Sequence, residues 1–188
     1  MGTIKATNIE PIADNGTVTL GSSGDTLTVP TGVTVGGLMS NTPAFEARLT
    51  SAQTVSDNTT TKAQIDGELF DTDNCYDNST NYRFTPNKPG KYFIYGNLSA
   101  FSQNASSLNI ARCYIYKNGS VVKVANLDFR NNPARYIINP ISTVQEANGT
   151  TDYFEFFGLV SGSGTDTFEA NPSAEDGTRF GAYRLIGA

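Results

Sequence analysis

From Thr42 onward, clusters of Gly, Asn, Asp, Ser and Pro cut the chain into apolar runs too short to build a helix. No stretch sustains a 3.6-residue apolar period; the runs alternate on period two or are apolar throughout. Turn residues at that spacing imply an all-β domain of eight to ten strands, a sandwich or a barrel. The clearest unit is Ala111-Arg112-Cys113-Tyr114-Ile115-Tyr116, joined through Lys117-Asn118-Gly119-Ser120 to Val121-Val122-Lys123-Val124. Asn118-Gly119 supplies the two positive-φ positions of a type I′ turn, so this segment is expected to be a hairpin.

Some of these strands are apolar on both faces. In Tyr92-Phe93-Ile94-Tyr95 and Tyr153-Phe154-Glu155-Phe156-Phe157, neighbouring residues must point in opposite directions, yet large side chains fill nearly every position. A two-layer sandwich covers only one face of each sheet. The other face needs a cover, supplied by further copies of the chain or by its own loops and N-terminal arm; further copies are the favoured expectation.

Residues 1 to 40 are built differently and form an expected N-terminal β-rich arm, with the head domain at 41 to 188. Thin alternating runs carry Val18, Leu20, Leu27, Val29, Val33 and Val35, with Gly36-Gly37 as a hinge. Strands this thin cannot bury a face alone. They imply neighbours, either successive rungs of one chain or equivalent strands from other chains, with a disordered tether as the alternative.

The totals exclude several function classes. The 13 Lys and Arg against 18 Asp and Glu give a net charge of −5, with no basic block to meet phosphates, so nucleic acid and anionic membrane are unfavoured partners. No run reaches the roughly 18–20 apolar residues of a membrane span, and the first residues lack the apolar core of a signal peptide. Cys75 and Cys113 fit no CxxC spacing and are expected as buried thiols rather than a disulfide. Six Asn-x-Ser/Thr triplets begin at Asn58, Asn78, Asn97, Asn104, Asn118 and Asn148; they are read as turn chemistry.

The absence of histidine excludes Ser-His-Asp, Cys-His and His-metal chemistry. A paired-carboxylate glycosidase would draw on Asp71, Asp73, Asp77, Asp152, Asp166, Glu169, Glu175 and Asp176. Most of these sit amid Asn, Ser, Thr and Gly in what read as polar turns, and no Trp is present to stack a sugar, so the chain is not expected to be an enzyme. Asp71, Asp73 and Asp77 have the spacing of a calcium loop but lack its glycine, Tyr76 standing in that place, and its closing glutamate, Tyr82 standing there. They remain a weak calcium candidate; no other cofactor is expected.

The order of segments over roughly residues 43 to 187 resembles the C1q/tumour-necrosis-factor-like jelly roll. Pro43-Ala44-Phe45-Glu46-Ala47-Arg48-Leu49 is similar to that family's first strand. Tyr76 through Pro86, followed by Pro89-Gly90-Lys91-Tyr92-Phe93-Ile94-Tyr95, is similar to its most specific stretch, and Phe180-Gly181-Ala182-Tyr183-Arg184-Leu185 to its closing strand. The resemblance implies a ten-strand antiparallel jelly-roll sandwich that assembles as a homotrimer. Phe93, Tyr95, Gly181 and Tyr183 would then line the three-fold axis, to which alternation adds Tyr153 and Phe157. Tyr92, Ile94, Phe154, Phe156, Phe180 and Ala182 would face the interior.

No collagen-like Gly-X-Y stalk is present; the arm takes its place. Its Ile4-Lys5-Ala6-Thr7-Asn8-Ile9-Glu10-Pro11-Ile12 stretch resembles N-terminal segments of marine bacteriophage appendage proteins. That resemblance implies a virion protein made in the host cytoplasm. Such a fibre or appendage trimer would be anchored to other virion proteins through the arm, with a head that adheres to a host surface glycan or protein. A capsid decoration trimer without receptor binding is the alternative, and a polysaccharide-degrading spike a remoter one.

Overall fold

A computed structural model describes residues 24, 26, 41–103, 106–163, 165–169 and 177–186. All but Gly24 and Thr26 belong to the second of two units, Gly37–Ala188. The alternating runs expected in the arm lie outside the described residues, as do Glu175 and Asp176.

The described residues contain thirteen strands and no helix. The short ones are β2 (Gln53–Val55), β3 (Thr61–Lys62), β5 (Tyr76–Asp77), β6 (Arg83–Phe84) and β12 (Asp166–Phe168). The framework is β1 (Ala44–Arg48), β4 (Gly67–Asp71), β7 (Gly90–Ser102), β8 (Leu108–Lys117), β9 (Ser120–Asp128), β10 (Tyr136–Ala147), β11 (Phe154–Gly162) and β13 (Arg179–Arg184). They form two sheets in which all pairings are antiparallel.

In the first sheet the long β7 is central. It pairs along its length with β10 on one side and with β13 and then β12 on the other, and β1 and β4 continue beyond β13. The second sheet runs β5-β6-β11-β8-β9, with β3 also on β11. Consecutive strands seldom neighbour one another, because the chain crosses between the sheets repeatedly. The β8–β9 hairpin is an exception. Its turn residues Asn118 and Gly119 have φ of 51° and 76°, the left-handed values that the Asn-Gly pair was expected to supply.

The core lies between the sheets and is aromatic. Phe45 of β1 is fully buried, stacked on Tyr76 at 4.4 Å and on Phe84 at 4.6 Å, with the Phe180 ring edge-on at 5.2 Å. Offset and edge-on ring pairs add to the area term, because the positive edge of one ring meets the negative face of the next. The buried phenols find acceptors: Tyr76 donates to the Ile65 carbonyl at 2.8 Å and Tyr92 to that of Lys88 at 2.7 Å. All six residues expected inside, Tyr92, Ile94, Phe154, Phe156, Phe180 and Ala182, are at most 1% exposed.

Gly158 of β11 lets the two sheets pack closely. A Cβ on Gly158 would stand 2.5 Å from the Phe168 ring and 2.9 Å from Leu98. At the β10 side the layers are stitched by a buried amide. The Asn139 side-chain amide donates to the carbonyls of Ala111 at 3.2 Å and Ala125 at 3.3 Å, and the Asn139 main-chain carbonyl accepts the Cys113 thiol. Cys75 and Cys113 are both free and buried. Burial pushes the Cys113 thiol up to about 12, and raises Cys75 as well, so neither presents a thiolate.

The turn reading of the Asn-x-Ser/Thr triplets holds at several positions. Asn58 and Asn118 adopt left-handed backbone, and the Asn148 carboxamide oxygen accepts from the N–H groups of Thr150, Thr151 and Asp152. Asn97 differs, since it lies inside β7.

Candidate functional site

The outer face of the first sheet, turned away from the core, is the feature most unlike an ordinary protein surface. Alternation places Phe93, Tyr95 and Asn97 of β7 on this face, because Tyr92, Ile94 and Gly96 are buried beneath it. Register then fixes their neighbours. Phe93 lies between Val144 of β10 and Tyr183 of β13; Tyr95 lies between Ser142 and Gly181, with Glu46 beyond and Phe70 at the far side.

The aromatic residues form a contiguous cluster, with ring centroids 6.0 Å apart for Phe93 and Tyr95 and 5.4 Å for Phe93 and Tyr183. Gly181 is needed for this arrangement: a Cβ there would meet the Tyr95 ring at 2.5 Å. The hydroxyl end of the ring lies over the glycine, and the Tyr95 hydroxyl donates to Glu46 Oε2 at 2.8 Å, while Arg179 Nη1 donates to Glu46 Oε1 at 2.9 Å. Burial, and then the Glu46 carboxylate, push the Tyr95 phenol well above its usual range, so the hydroxyl stays a donor.

Large apolar side chains on the same face remain in water, Val144, Phe70 and Tyr183 near the cluster and Ile138 and Tyr136 farther along β10, opposite Ser99 and Phe101. Val144 is 48% exposed, Phe70 47%, Ile138 43%, and Tyr136 and Tyr183 37% each. A shallow groove of about 450 Å³ between β7 and β10 is lined by Tyr95, Asn97, Pro140 and Ser142. Contiguous exposed apolar surface on a sheet face marks an interaction site.

Four of the six residues expected at a shared axis, Phe93, Tyr95, Gly181 and Tyr183, are thus brought together. Tyr153 and Phe157 are not. They are carried by β11 and the loop before it, in the second sheet, and Phe157 points out of the opposite side of the sandwich. There its ring lies 4.3 Å from Tyr116 and beneath the Lys62 ammonium, and Tyr153 stacks under the Arg83 guanidinium at 4.6 Å. The expectation that all six share one face is corrected: strand alternation separates two faces but does not say to which sheet a strand belongs. The outward row of β10, Tyr136, Ile138 and Val144, was missed. Its signal is in Tyr136-Ile137-Ile138-Asn139-Pro140-Ile141, another run apolar on both sides.

The carboxylates weighed for calcium or catalysis are dispersed. Asp71 accepts the N–H groups of Asp73 and Tyr76, and Asp73 pairs with Lys88 at 3.3 Å. Asp77 is occupied by its own turn, accepting from the N–H groups of Ser79, Thr80 and Asn81 and from the Asn81 amide. Asp152 accepts from Asn118 and Lys117, and Glu169 from the Thr167 hydroxyl. Among the described residues no three acidic or thiol groups converge as a metal centre would require.

The Asp77 turn has a pH signature. The Thr80 N–H first, then the other donors, hold this carboxyl far below the ordinary value of about 3.9. A depressed folded-state pKa means the contribution is present above the unfolded value and is lost as pH falls through the folded one. Asp77→Ala should therefore cost about 1 kcal/mol in urea denaturation at pH 7, and the gap to wild type should narrow below about pH 4.

No family model and no curated protein matches the sequence. Solved structures do. The globular domain of zebrafish complement 1qA protein aligns with a TM-score of 0.53 and 12% identity, covering 76% of this chain and 97% of that one. Murine APRIL at pH 5.0 aligns with a TM-score of 0.53 and 9% identity, over 76% and 98%. The fold is a C1q/TNF-like jelly roll. At these identities the likeness concerns the fold alone, so the use of the apolar sheet face must be argued from this chain's own residues.

Proposed function

We propose that this chain is a homotrimeric structural protein of a bacteriophage virion, a fibre or appendage subunit whose jelly-roll head contacts the host surface. The observation that carries the trimer is the outer face of the first sheet, where the Phe93, Tyr95 and Tyr183 cluster shares one side with exposed Val144, Phe70, Ile138 and Tyr136. Copies of the same chain are the most economical cover, since each supplies the same aromatic surface and burial costs little side-chain entropy. The resemblance of the segments to the C1q/TNF-like family supports three copies rather than two. The virion assignment rests on the arm, whose Ile4–Ile12 stretch resembles phage appendage segments, with partners among other virion proteins.

The test has two stages. Sedimentation of the full chain at micromolar concentration should give one species of three times the chain mass; a stable folded monomer would defeat the trimer. The trimer should then bind permissive bacterial cells, in competition with the host's surface polysaccharide. A trimer that binds no permissive strain but is found on the capsid by microscopy would be a decoration protein, and the adhesion reading would be abandoned.

A further inference from the structure

Among the described residues other than glycine, Asn58, Asn74, Tyr82 and Asn118 hold left-handed backbone, and one of them is out of place. Asparagine adopts positive φ readily; a tyrosine, here at φ 48°, does not. An aromatic side chain kept where asparagine or glycine would relieve strain points to a use for that side chain. The position is fixed from both sides. The Asp77 carboxylate holds the N–H groups of Ser79, Thr80 and Asn81, and Arg83 enters β6 directly afterwards.

Tyr82 forms one wall of a cavity of about 350 Å³ between the β1–β2 loop, β2 and the segment from β3 to β4. Its polar lining is Ser51, Gln53, Thr54, Gln64 and Asp66, and Leu49, 2% exposed, adds an apolar patch. Two of the polar groups are held in place. Asp66 Oδ1 accepts the Thr50 N–H at 2.9 Å and Oδ2 the Thr50 hydroxyl at 2.6 Å. Gln53 Nε2 donates to the Lys62 carbonyl at 2.9 Å, and its Oε1 accepts the Gln64 N–H at 2.9 Å. Each of those oxygens keeps a second lone pair, and the Gln53 amide keeps its other hydrogen. The Gln64 carboxamide and the Tyr82 hydroxyl have no hydrogen-bond partner among the described residues.

We infer that this cavity binds a single uncharged sugar residue. A sugar hydroxyl is donor and acceptor at once, which matches a lining that offers carboxylate and carboxamide oxygens to accept and amide hydrogens and hydroxyls to donate. An ammonium group has donors only and would leave the amide and hydroxyl donors unmatched. An anion would meet the Asp66 charge with no Lys or Arg side chain in the lining to offset it. Tyr82 and Leu49 supply the apolar contact that the C–H face of a sugar ring needs, and the volume is at the small end of ligand sites. Asp66 is the sole carboxylate of the lining, so the cavity can hold a sugar but lacks the acid pair that would cleave it. The inference gives the proposed adhesive head a site, and it rests on that reading for the source of the glycan on a host cell.

The experiment is saturation-transfer NMR of the full chain with D-glucose, D-galactose, D-mannose and N-acetyl-D-glucosamine. Concentrations from about 1 to 100 mM bracket the roughly millimolar Kd that a ligand of this size can reach. At least one sugar should show transfer. Asp66→Asn, which keeps an oxygen for the Thr50 N–H, should weaken binding about tenfold or more, because a hydrogen bond to a charged acceptor is lost. Tyr82→Asn should weaken it as well while leaving Tm at or above that of wild type, since asparagine relieves the left-handed strain. A purely structural tyrosine would instead lower Tm and leave binding unchanged, and that result would overturn the inference. So would transfer to none of the four sugars, unchanged binding by both variants, or displacement of the sugar by an equal concentration of ethylammonium chloride, which would mark a cation pocket. Adhesion is read separately on permissive cells. Wild type that takes the sugar but adheres to no strain leaves the site standing and ends the adhesion reading; adhesion without sugar transfer, undiminished in Asp66→Asn, ends the site alone.

Discussion

Val144→Lys and Ile138→Lys, combined, should leave the jelly roll folded and convert the proposed trimer to monomer. Both side chains are nearly half exposed in the single chain, at 48% and 43%, so a lysine at either position removes little packing from the domain. Substitutions of that kind typically change stability by no more than about 0.5 kcal/mol. In a three-fold assembly the same lysines would lie in a buried apolar surface, repeated three times around the axis. Burying charges without partners costs several kcal/mol each, more than an interface of ordinary size can absorb. Sedimentation should report one chain mass, with an unchanged circular dichroism spectrum. The control is on the other sheet: Val121 and Val124 of β9 are 49% and 48% exposed, and Val121→Lys with Val124→Lys should leave the trimer intact. If the β9 pair dissociates the assembly and the β10 pair does not, the interface lies on the second sheet, the side of Phe157.

Phe45→Ala is expected to have the largest effect on the fold itself, about 3–5 kcal/mol of stability, read as a fall in Tm of roughly 10 °C or more. Phe45 is fully buried and touches the rings of Tyr76, Phe84 and Phe180, so its removal opens a cavity shared by elements of both sheets. The Tyr76 ring beside the gap is tethered by its hydrogen bond to the Ile65 carbonyl, which limits how far that side can relax. Phe70→Ala, on a ring 47% exposed in the same sheet, makes the comparison: the isolated domain should barely notice it. An equal loss at both positions would mean that the core is not organised around Phe45.

Much of the site can be read along the chain because a strand alternates without reference to its neighbours. The alternation of Tyr92, Phe93, Ile94 and Tyr95 sends Phe93 and Tyr95 outward and the other two inward, as the structure has them. Asn118-Gly119 dictates its own turn, since positive φ at both positions is a local steric matter. Gly181 is legible only in part. Its lack of a side chain is plain, but the Tyr95 ring that occupies the vacant space comes from another strand more than eighty positions earlier.

What the chain order could not supply is membership of a sheet. Phe157 alternates as faithfully as Phe93, yet β11 pairs with β8 while β7 pairs with β10 and β13, and the two outward rows therefore leave the sandwich on opposite sides. Asp166 makes the same point for charge. In sequence it stands among Ser, Gly and Thr as an ordinary turn carboxylate; in the fold it is sealed beside Ser102 and Ser107 with its oxygens over Gly162. The sequence by itself determined an all-β domain, the hairpin turn and which side chains of a strand share a face, because these depend on local backbone sterics and period-two geometry. Only the tertiary structure decided which faces join into one surface and which carboxylate loses its water, because both depend on partners far along the chain.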